Sequence, residues 1–497
     1  IFSNIEVLQQ QVSVYDTLLD RIDEIKTKVQ SRCDAVQKSL AAYTSTLAPI
    51  RHLPSDVLRS IFREIQISQW QNAGKAKHKD EVLDFSQGPW VLSHVCGAWR
   101  DIVISYHQLW SHIILHFPYH SIGSLGERRF PPRHGYTIDA LKVVIHHSER
   151  YPLEIEFNVD PGGDEDMAVE ALSVIAEESY RWRTLKLHTF LRLLERLKVV
   201  RGRIPCLESF TLNASDITQS GREDLLENTQ RIFAEAPRLQ KVTLRGPSGV
   251  GDLMLPLHIT HLATYANNAC NLGVYRSLVE CHLMTRPRDD QDIRSLPLNI
   301  HLPNVRCLFV SSLRILAHLC LPSLNNLTVY HISSGINANI RDVQIVNDFI
   351  RRSRCSLSKL VFRSSNIDDQ IFIRELLLFM DTLVFLEIMF LWIEATFDAL
   401  APVGFLPNLQ HLRLFCYDIA SSQDSLVAMI SSRSQKFRSV KIYCCDPVDA
   451  ECFNRHISPL QKTGQHFIAT HKGQNQITSQ VQFGKFSQSD LDVPVDQ

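Results

Sequence analysis

The sequence has almost no net charge and no recognisable metal clamp. Its 52 Lys and Arg residues are balanced by 53 Asp and Glu residues, for a formal net charge of −1. This balance excludes the overall electrostatic footprint of a nucleic-acid or anionic-membrane binder, although local basic patches are compatible with it. The twelve cysteines never form the repeated Cys-x-x-Cys spacing that binds zinc. We therefore expect free, buried thiols in a reducing compartment and no cofactor.

Long uncharged apolar runs are also missing. The most hydrophobic window, residues 376–393, contains Asp381 and Glu387 and predicts a buried helix followed by a buried strand. Acidic residues interrupt any apolar core near the start of the chain, so no signal peptide is predicted there. Because the sequence begins at Ile1, a targeting signal ahead of it stays open. The expected location is intracellular, in the cytoplasm and/or the nucleus.

No catalytic arrangement stands out. The stretch VTLRGPSGVGDL comes nearest to a phosphate-binding loop, because Gly246 and Gly251 have the right spacing. Asp252 stands where that loop needs a lysine, and its carboxylate would repel phosphate. Ser248 fails the nucleophile-elbow pattern because Val250 replaces the last glycine. We expect a loop between structural repeats, in a chain that is not an enzyme.

The first 48 residues carry a heptad pattern that Lys26 alone interrupts. Alternating steps of three and four average 3.5 residues, which keeps one stripe along a helix, and Pro49 predicts the helix end. We predict a coiled-coil helix over residues 1–48. Its stripe either pairs with a second copy, giving a homodimer through residues 5–47, or packs against later helices of the same chain. The stripe consists of Ile5, Leu8, Val12, Tyr15, Leu19, Ile22, Val29, Cys33, Val36, Leu40, Tyr43 and Leu47.

Two short amphipathic helices are predicted next. In LPSDVLRSIF, Pro54 and Ser55 are helix-start signals, and the apolar face that follows is Val57, Leu58, Ile61, Phe62 and Ile65. After a polar stretch from Gln69, which reads as a loop, PWVLSHVCGAWRDIV predicts one helix with the face Leu92, Val95, Cys96, Trp99 and Val103. Leu109 and Trp110 are predicted to turn inward. Helices this short cannot cover so many apolar side chains, so the surplus packs on the next domain or binds a partner.

One phrase recurs from about residue 140: apolar, two residues, apolar, one residue, apolar. Its starts are roughly 20–33 residues apart, which is the range of leucine-rich repeats, and helical segments such as 164–182 and 340–355 separate them. This predicts an α/β fold, an irregular solenoid over residues 118–471 with a parallel β-sheet on its concave face; a doubly wound sheet is the alternative. Residues 472–497 read as a disordered tail. The phrase occupies 153–157, 182–187, 207–212, 239–244, 278–283, 305–310, 324–329, 357–362, 383–388, 409–414 and 437–442.

Polar positions within these strands would line the concave face. The later repeats lean basic with interleaved aromatic residues, which would suit an acidic or phosphorylated segment; a solvated face of mixed charge is the other interpretation. The residues predicted on this basis to bind a substrate are Arg245, His282, Tyr330, Arg363, Arg413, Lys441 and Tyr443.

The two helical stretches together resemble the F-box motif. APIRHLPSDVLRSIF, a gap, PWVLSHVCGAWRDIVIS and LW match it closely over residues 49–115. More narrowly, the chain is similar to F-box-like proteins abundant in mushroom-forming (basidiomycete) fungi, which commonly have a preceding coiled coil and a leucine-rich region. It departs from them in the longer polar insertion at about 66–89. The resemblance implies an F-box-like domain over residues 49–117 that docks on a Skp-family adaptor, and through it a cullin and a RING protein.

The resemblance also implies which residues bind the adaptor, with Trp99 and Phe62 as anchors. They are Leu53, Pro54, Val57, Leu58, Ile61, Phe62, Leu92, Val95, Cys96 and Trp99. The implied function is the substrate-recognition subunit of a Skp–cullin–F-box ubiquitin ligase, which does no chemistry itself but holds a protein substrate near the ubiquitin carrier. The alternative is a non-ligase coiled-coil and leucine-rich-repeat scaffold, in which the F-box-like helices only cap the solenoid. Neither function involves nucleic acid or a membrane.

Overall fold

The computed structural model describes most of the chain, in two compact units that divide between Leu109 and Trp110. The described residues are 2–46, 49–73, 88–117, 134–215, 229–246, 250–269, 271–285, 296–297, 299–331, 339–364, 377, 380–390, 397–398, 400–416, 423–444, 447–460, 462 and 465–471. The predicted tail, residues 472–497, lies outside them.

Helices and strands are numbered here in chain order. The α-helices are α1 Phe2–Thr46, α2 Ser55–Ala73, α3 Gly88–Ser93, α4 Gly97–Ser105, α5 His134–Ser148, α6 Glu165–Glu177, α7 Leu191–Leu194, α8 Asn339–Ser353, α9 Gln423–Ser432 and α10 Pro447–Ile457. The strands are β1 His112–Phe117, β2 Leu153–Val159, β3 Trp182–Phe190, β4 Ser209–Ser215, β5 Lys241–Arg245, β6 His261–Tyr265, β7 Glu280–Met284, β8 Ile300–His301, β9 Cys307–Val310, β10 Leu319–Cys320, β11 Asn326–His331, β12 Lys359–Ser364, β13 Phe385–Phe390, β14 His411–Cys416, β15 Ser439–Cys444 and β16 His466–His471.

The N-terminal helix predicted from the heptad pattern is confirmed. α1 runs without interruption through 45 residues. The described side chains of its stripe are exposed, from Ile5 at 45% to Tyr43 at 73%, so no described helix of this chain covers the stripe. Among the described helices, none combines the length and the apolar character that crossing a bilayer needs.

The helix expected to end near Gln69 continues to Ala73. The segment that reads as a loop begins with QWQNA, which contains no proline or glycine, and glutamine and alanine favour the helical state. Polarity alone was therefore a poor sign of a helix end at this position.

The second predicted helix is two helices, which corrects the single-helix prediction. α3 ends at Ser93, and α4 begins at Gly97 after Cys96 adopts an extended conformation, with φ −163° and ψ 170°. An extended residue changes the helical phase, so the residues before and after it no longer share one continuous face. Leu92 is therefore buried, whereas Val95, in the connecting turn, is 46% exposed. The prediction that Leu109 and Trp110 turn inward is confirmed, because both are buried.

A parallel sheet of 14 strands dominates the second unit. Its strand order is β1-β2-β3-β4-β5-β6-β7-β9-β11-β12-β13-β14-β15-β16, and β8 pairs with β10 in a separate sheet. The order follows the chain without the reversal that a doubly wound sheet requires, so that alternative does not fit. Every recurring phrase forms a strand of this sheet, whereas β1, β6 and β16 were missed because their sequences depart from the phrase.

From the phrase at 207–212 onward, the first apolar residue of each phrase precedes its strand and is buried; Leu207, Leu239 and Leu278 are each 0% exposed. Beside it, one backbone carbonyl accepts N–H groups from two successive residues of the next repeat. The Glu208 carbonyl, for example, accepts from Gln240 at 3.0 Å and from Lys241 at 3.1 Å. The same pattern recurs up to the Gln410 carbonyl, which accepts from Arg438 and Ser439. Each strand is thus registered on the preceding one by its backbone.

Aromatic pairs fill the apolar side of the sheet. Phe210 on β4 stacks on Phe233 with ring centroids 4.0 Å apart, and both side chains are 0% exposed. Such a pair contributes its buried area plus a modest stacking energy.

Phe210→Ala should therefore lower the free energy of unfolding by about 3–5 kcal/mol, because it removes a buried ring and leaves a cavity. Denaturant unfolding monitored by circular dichroism measures this. Tyr180→Ala is the matched control: it removes an aromatic ring that is 49% exposed, and its effect should stay within about 0.5 kcal/mol. Equal effects of the two substitutions would contradict the assigned core.

Candidate functional site

The ten residues that the resemblance implied for adaptor binding lie on or beside α2, α3 and α4, which contact one another and are called here the helical unit. The structure separates these residues by exposure. Leu58, Phe62, Leu92 and Trp99 are buried; Leu53, Ile61 and Cys96 are half-buried; Pro54, Val57 and Val95 are exposed.

The two expected anchors pack inside the chain. The rings of Phe62 and Trp99 lie 4.8 Å apart, centroid to centroid, at 59°. Phe62 is 0% exposed and Trp99 is 9% exposed. Their surface is already covered, so in this structure they hold the helical unit together and present little surface for a partner to contact.

Several other apolar side chains of the helical unit remain open to solvent. They are Val57 at 39%, Ile65 at 38%, Val91 at 42%, Val95 at 46% and Ile104 at 39% exposed. Single exposed valines are ordinary on any protein surface. Here five exposed apolar residues lie on three helices in mutual contact and on the turn between two of them.

Two polar residues of the helical unit have structural roles that the sequence pattern did not reveal. Arg100 donates from Nε to the Ser93 carbonyl at 3.1 Å, which satisfies an acceptor at the end of α3. Gln66 donates from Nε2 to the Leu109 carbonyl at 2.6 Å in a buried position. Arg100 lies within the stretch PWVLSHVCGAWRDIVIS, but its role depends on the break between α3 and α4.

The second candidate surface is one face of the large sheet. In β4, Phe210 and Leu212 are buried on one face, whereas the alternating Ser209, Thr211 and Asn213 are half-buried on the other. We call this other face, across all strands, the polar face. Register pairs on it are Tyr330 with Arg363, Arg413 with Lys441, and Phe415 with Tyr443.

Three of the predicted substrate-binding residues, Arg363, Arg413 and Lys441, lie on β12, β14 and β15, on the same face as the Glu387 carboxylate of β13. Glu387 on β13 accepts a hydrogen bond from Arg363 Nε at 2.8 Å, and Arg413 Nη1 lies 3.7 Å from its second oxygen. Glu387 is 3% exposed. Lys441 lies beside Arg413 in register, and Lys359 occupies the polar face of β12. We call Lys359, Arg363, Arg413 and Lys441 with Glu387 the cationic cluster.

Aromatic rings lie against the cations of the cationic cluster. The Arg363 guanidinium carbon lies 4.6 Å from the centroid of the Phe415 ring. The Arg413 guanidinium carbon lies 5.3 Å from the centroid of the Phe385 ring, and the Lys359 ammonium nitrogen lies 5.0 Å from the same centroid. Burial lowers the pKa of Lys359. The negative charge of Glu387 opposes that change, and the positive charge of Arg413 adds to it. The described cations of the cluster outnumber its carboxylate, so the site has the charge to hold a further anionic group.

Of the other four predicted substrate-binding residues, Arg245 and His282 are distant in the sheet, His282 and Tyr443 are covered, and Tyr330 is half-buried. Arg245 on β5 and His282 on β7 lie several strands from the cluster. His282 bonds Glu280 at 2.8 Å and is 6% exposed, and Tyr443 is 8% exposed. These two side chains have little surface for a partner. Arg413, Lys441 and Tyr330 are half-buried and more open.

The first strands of the sheet have matched charges on the same face. Lys186 on β3 pairs with Glu156 on β2 at 3.2 Å, and Arg183 pairs with Glu154. The excess of positive charge is thus a feature of β12–β15 and not of the whole polar face.

The phosphate-loop resemblance has a packing explanation. Gly251 lies in a short 3₁₀ turn, Val250–Asp252, where an added Cβ would stand 2.3 Å from the Asn268 carbonyl oxygen. A Cβ on Gly246 would stand 2.8 Å from Val250. Both glycines therefore permit close backbone approach between repeats. Within the residues that the structure describes, no group of three His, Cys, Asp or Glu side chains could hold a metal ion.

Glu387→Gln should destabilise the protein by roughly 3–5 kcal/mol, because Glu387 is buried and the half-buried Arg363 and Arg413 would lose their carboxylate. Glu156→Gln is the matched control on the same face. Its partner Lys186 is 46% exposed, so the free energy of unfolding should fall by no more than about 1 kcal/mol. Thermal unfolding of both variants measures the difference, and a Glu387→Gln variant as stable as the control would show that the cluster does not depend on its carboxylate.

Comparison with known proteins adds no family to these observations. No protein-family model matches the chain, and no curated protein matches its sequence. The function must therefore be inferred from the motif residues and from the two surfaces described above.

Proposed function

We propose that this chain is the substrate-recognition subunit of a Skp–cullin–F-box ubiquitin ligase. The helical unit acts as an F-box and docks on a Skp-family adaptor. The large sheet acts as a leucine-rich-repeat solenoid whose polar face is the concave face and binds a protein substrate. Such a ligase works inside the cell, in the cytoplasm and/or the nucleus. The observation that carries the proposal is that Val57 and Val95, two motif positions, are exposed on a helical unit whose Phe62–Trp99 core is complete.

The adaptor surface consists of the open apolar side chains of the helical unit. A stable interface buries about 800 Å² per partner, with an apolar centre and a polar rim. Val57, Val91, Val95 and Ile104 are each about two-fifths exposed, and a partner would gain by covering them. The internal Phe62–Trp99 pair keeps the helices in place and so pre-organises that surface.

The substrate surface is the cationic cluster. Arginine and lysine side chains held over aromatic rings suit carboxylate or phosphate groups, because both are anions that accept several hydrogen bonds. The preferred substrate is therefore a protein segment rich in acidic or phosphorylated residues. Held there, the segment is close to the ubiquitin carrier, which raises its effective concentration without any chemistry by this chain.

A scaffold without ligase function is the second candidate. Its support is the burial of Phe62 and Trp99, since side chains that serve only the chain's own packing are what an F-box-like cap would show. The two candidates differ in one property, which is capture of the adaptor.

Val57→Asp with Val95→Asp should weaken capture of a purified Skp-family adaptor by at least about 10-fold, because two charges would enter an apolar interface. The two substitutions are at exposed positions, so far-ultraviolet circular dichroism should not change. Leu58 and Trp99 are unsuitable targets because both are buried. A pull-down followed by calorimetry measures the loss of affinity for the adaptor.

Val143→Asp with Val199→Asp is the matched control. Val143 is 39% exposed and Val199 is 61% exposed, and both lie outside the helical unit. This variant should bind the adaptor like the unchanged chain. If the unchanged chain does not capture the adaptor, the ligase proposal fails and the scaffold remains.

Arg413→Gln with Lys441→Gln should weaken binding of a labelled polyglutamate peptide by about 10-fold, because two cations of the cluster are lost. Fluorescence anisotropy measures the affinity, which should also fall as salt is added. Arg183→Gln with Lys186→Gln removes two cations on β3, far from β12–β15 in the sheet order, and should leave the affinity unchanged. Equal losses in both variants would mean that the peptide senses only overall charge.

A further inference from the structure

The stripe along α1 is the largest apolar feature that the described chain leaves uncovered. Its residues are more than two-fifths exposed along the helix, for example Leu8 at 59%, Leu19 at 59% and Val36 at 67%. Polar contacts lie on other faces of the helix, such as the ion pair of Lys28 with Glu24 at 2.5 Å. From Ile5 to Tyr43, one face is thus open and, apart from Lys26, mainly apolar.

The partner that fits this face is another copy of α1. At about 1.5 Å per residue, a helix of 45 residues is roughly 67 Å long. A covering helix needs the same 3.5-residue repeat over a similar length to keep its own stripe in contact. Among the other described helices the longest is α2, with 19 residues. A second α1 has the repeat and the length by identity.

The side chains within the stripe point to more than two helices. In heptad letters, with Ile5 as an a position, Leu19 and Leu40 are a residues, whereas Ile22, Val29 and Val36 are d residues. Leucine at a with isoleucine at d, as in the heptad of Leu19 and Ile22, favours trimers or tetramers, whereas β-branched residues at a with leucine at d favour dimers. The first heptad, with Ile5 at a and Leu8 at d, follows the dimer choice, and Val12 is also β-branched at a, so the preference for a larger bundle comes from the heptad of Leu19 and Ile22.

The width of the apolar face agrees with this preference. Leu18 and Ile25 occupy g positions next to the stripe, and they are 49% and 57% exposed. A two-stranded coiled coil needs only the narrow a and d seam, whereas a helix in a larger bundle buries a third position in each heptad. In a dimer, Leu18 and Ile25 would stay largely in water.

We propose that α1 assembles three or more copies of this chain into a helical bundle. Lys26, at a central a position, registers the helices at a cost in stability, as single polar core residues do. An assembly of this kind presents several polar faces at once and so raises the avidity for a substrate with repeated motifs. The assembly does not depend on the adaptor, and it goes beyond the proposed ligase function.

The test is the mass of the full chain in solution. Sedimentation velocity and light scattering at micromolar concentration should give three or four times the chain mass of 56.8 kDa. Leu19→Asp with Val36→Asp, within the stripe, should reduce the mass to that of one chain. Thr17→Asp with Ser31→Asp adds the same charge on the exposed outer face and should leave the mass unchanged.

A single-chain mass for the unchanged protein would overturn the proposal, and so would a dimer. Loss of assembly in the outer-face variant would overturn it as well, because charge alone would then explain the result. Lys26→Leu provides an independent readout: the assembly should persist at concentrations at least about 10-fold lower, because a polar core residue has been removed. If Lys26→Leu leaves the dissociation concentration unchanged, Lys26 does not lie in a helical interface. Adaptor capture by the Leu19→Asp/Val36→Asp variant should be unaffected, which separates this test from that of the ligase.

Discussion

The large sheet depends on one repeated backbone interaction. A carbonyl just ahead of each strand accepts two N–H groups from the next repeat, from the Glu208 carbonyl to the Gln410 carbonyl. A buried apolar residue stands beside it each time, so the exposed end of a repeat is covered by the next one. No repeat can satisfy its backbone or bury its side chains alone. This constraint holds the strands parallel and in chain order whatever the loops between them contain.

That order also determines where charges meet. Because neighbouring strands share a register, side chains from separate repeats become neighbours on the polar face. Glu387 therefore lies between Arg363 and Arg413, although more than twenty residues separate it from each in sequence. The same register pairs Lys186 with Glu156 at the other end of the sheet, where the charges cancel. The difference between the two ends is the basis for placing an anionic ligand at β12–β15.

The helical unit is organised differently, because it is too small to bury all of its apolar residues. Phe62 and Trp99 take the interior, Arg100 and Gln66 satisfy backbone carbonyls, and Val57, Val91 and Val95 remain exposed. In the proposed function these exposed side chains are the surface on which the adaptor docks, and the buried pair beneath them is its support. α1 shows the same principle in a simpler form, since a single helix has no interior and leaves its whole stripe available to other chains.

The amino-acid pattern by itself determined the long helix, the eleven strands that carry the repeated phrase and the intervening helices α6 and α8, because each follows from local periodicity. It did not determine the break at Cys96, the burial of Phe62 and Trp99, or the strands β1, β6 and β16, whose sequences lack the phrase. It also grouped Arg245 and His282 with the later basic residues, although they lie on distant strands. Only the tertiary structure decided these points, because burial and charge neighbourhood depend on which segments pack together, and periodicity describes one segment at a time.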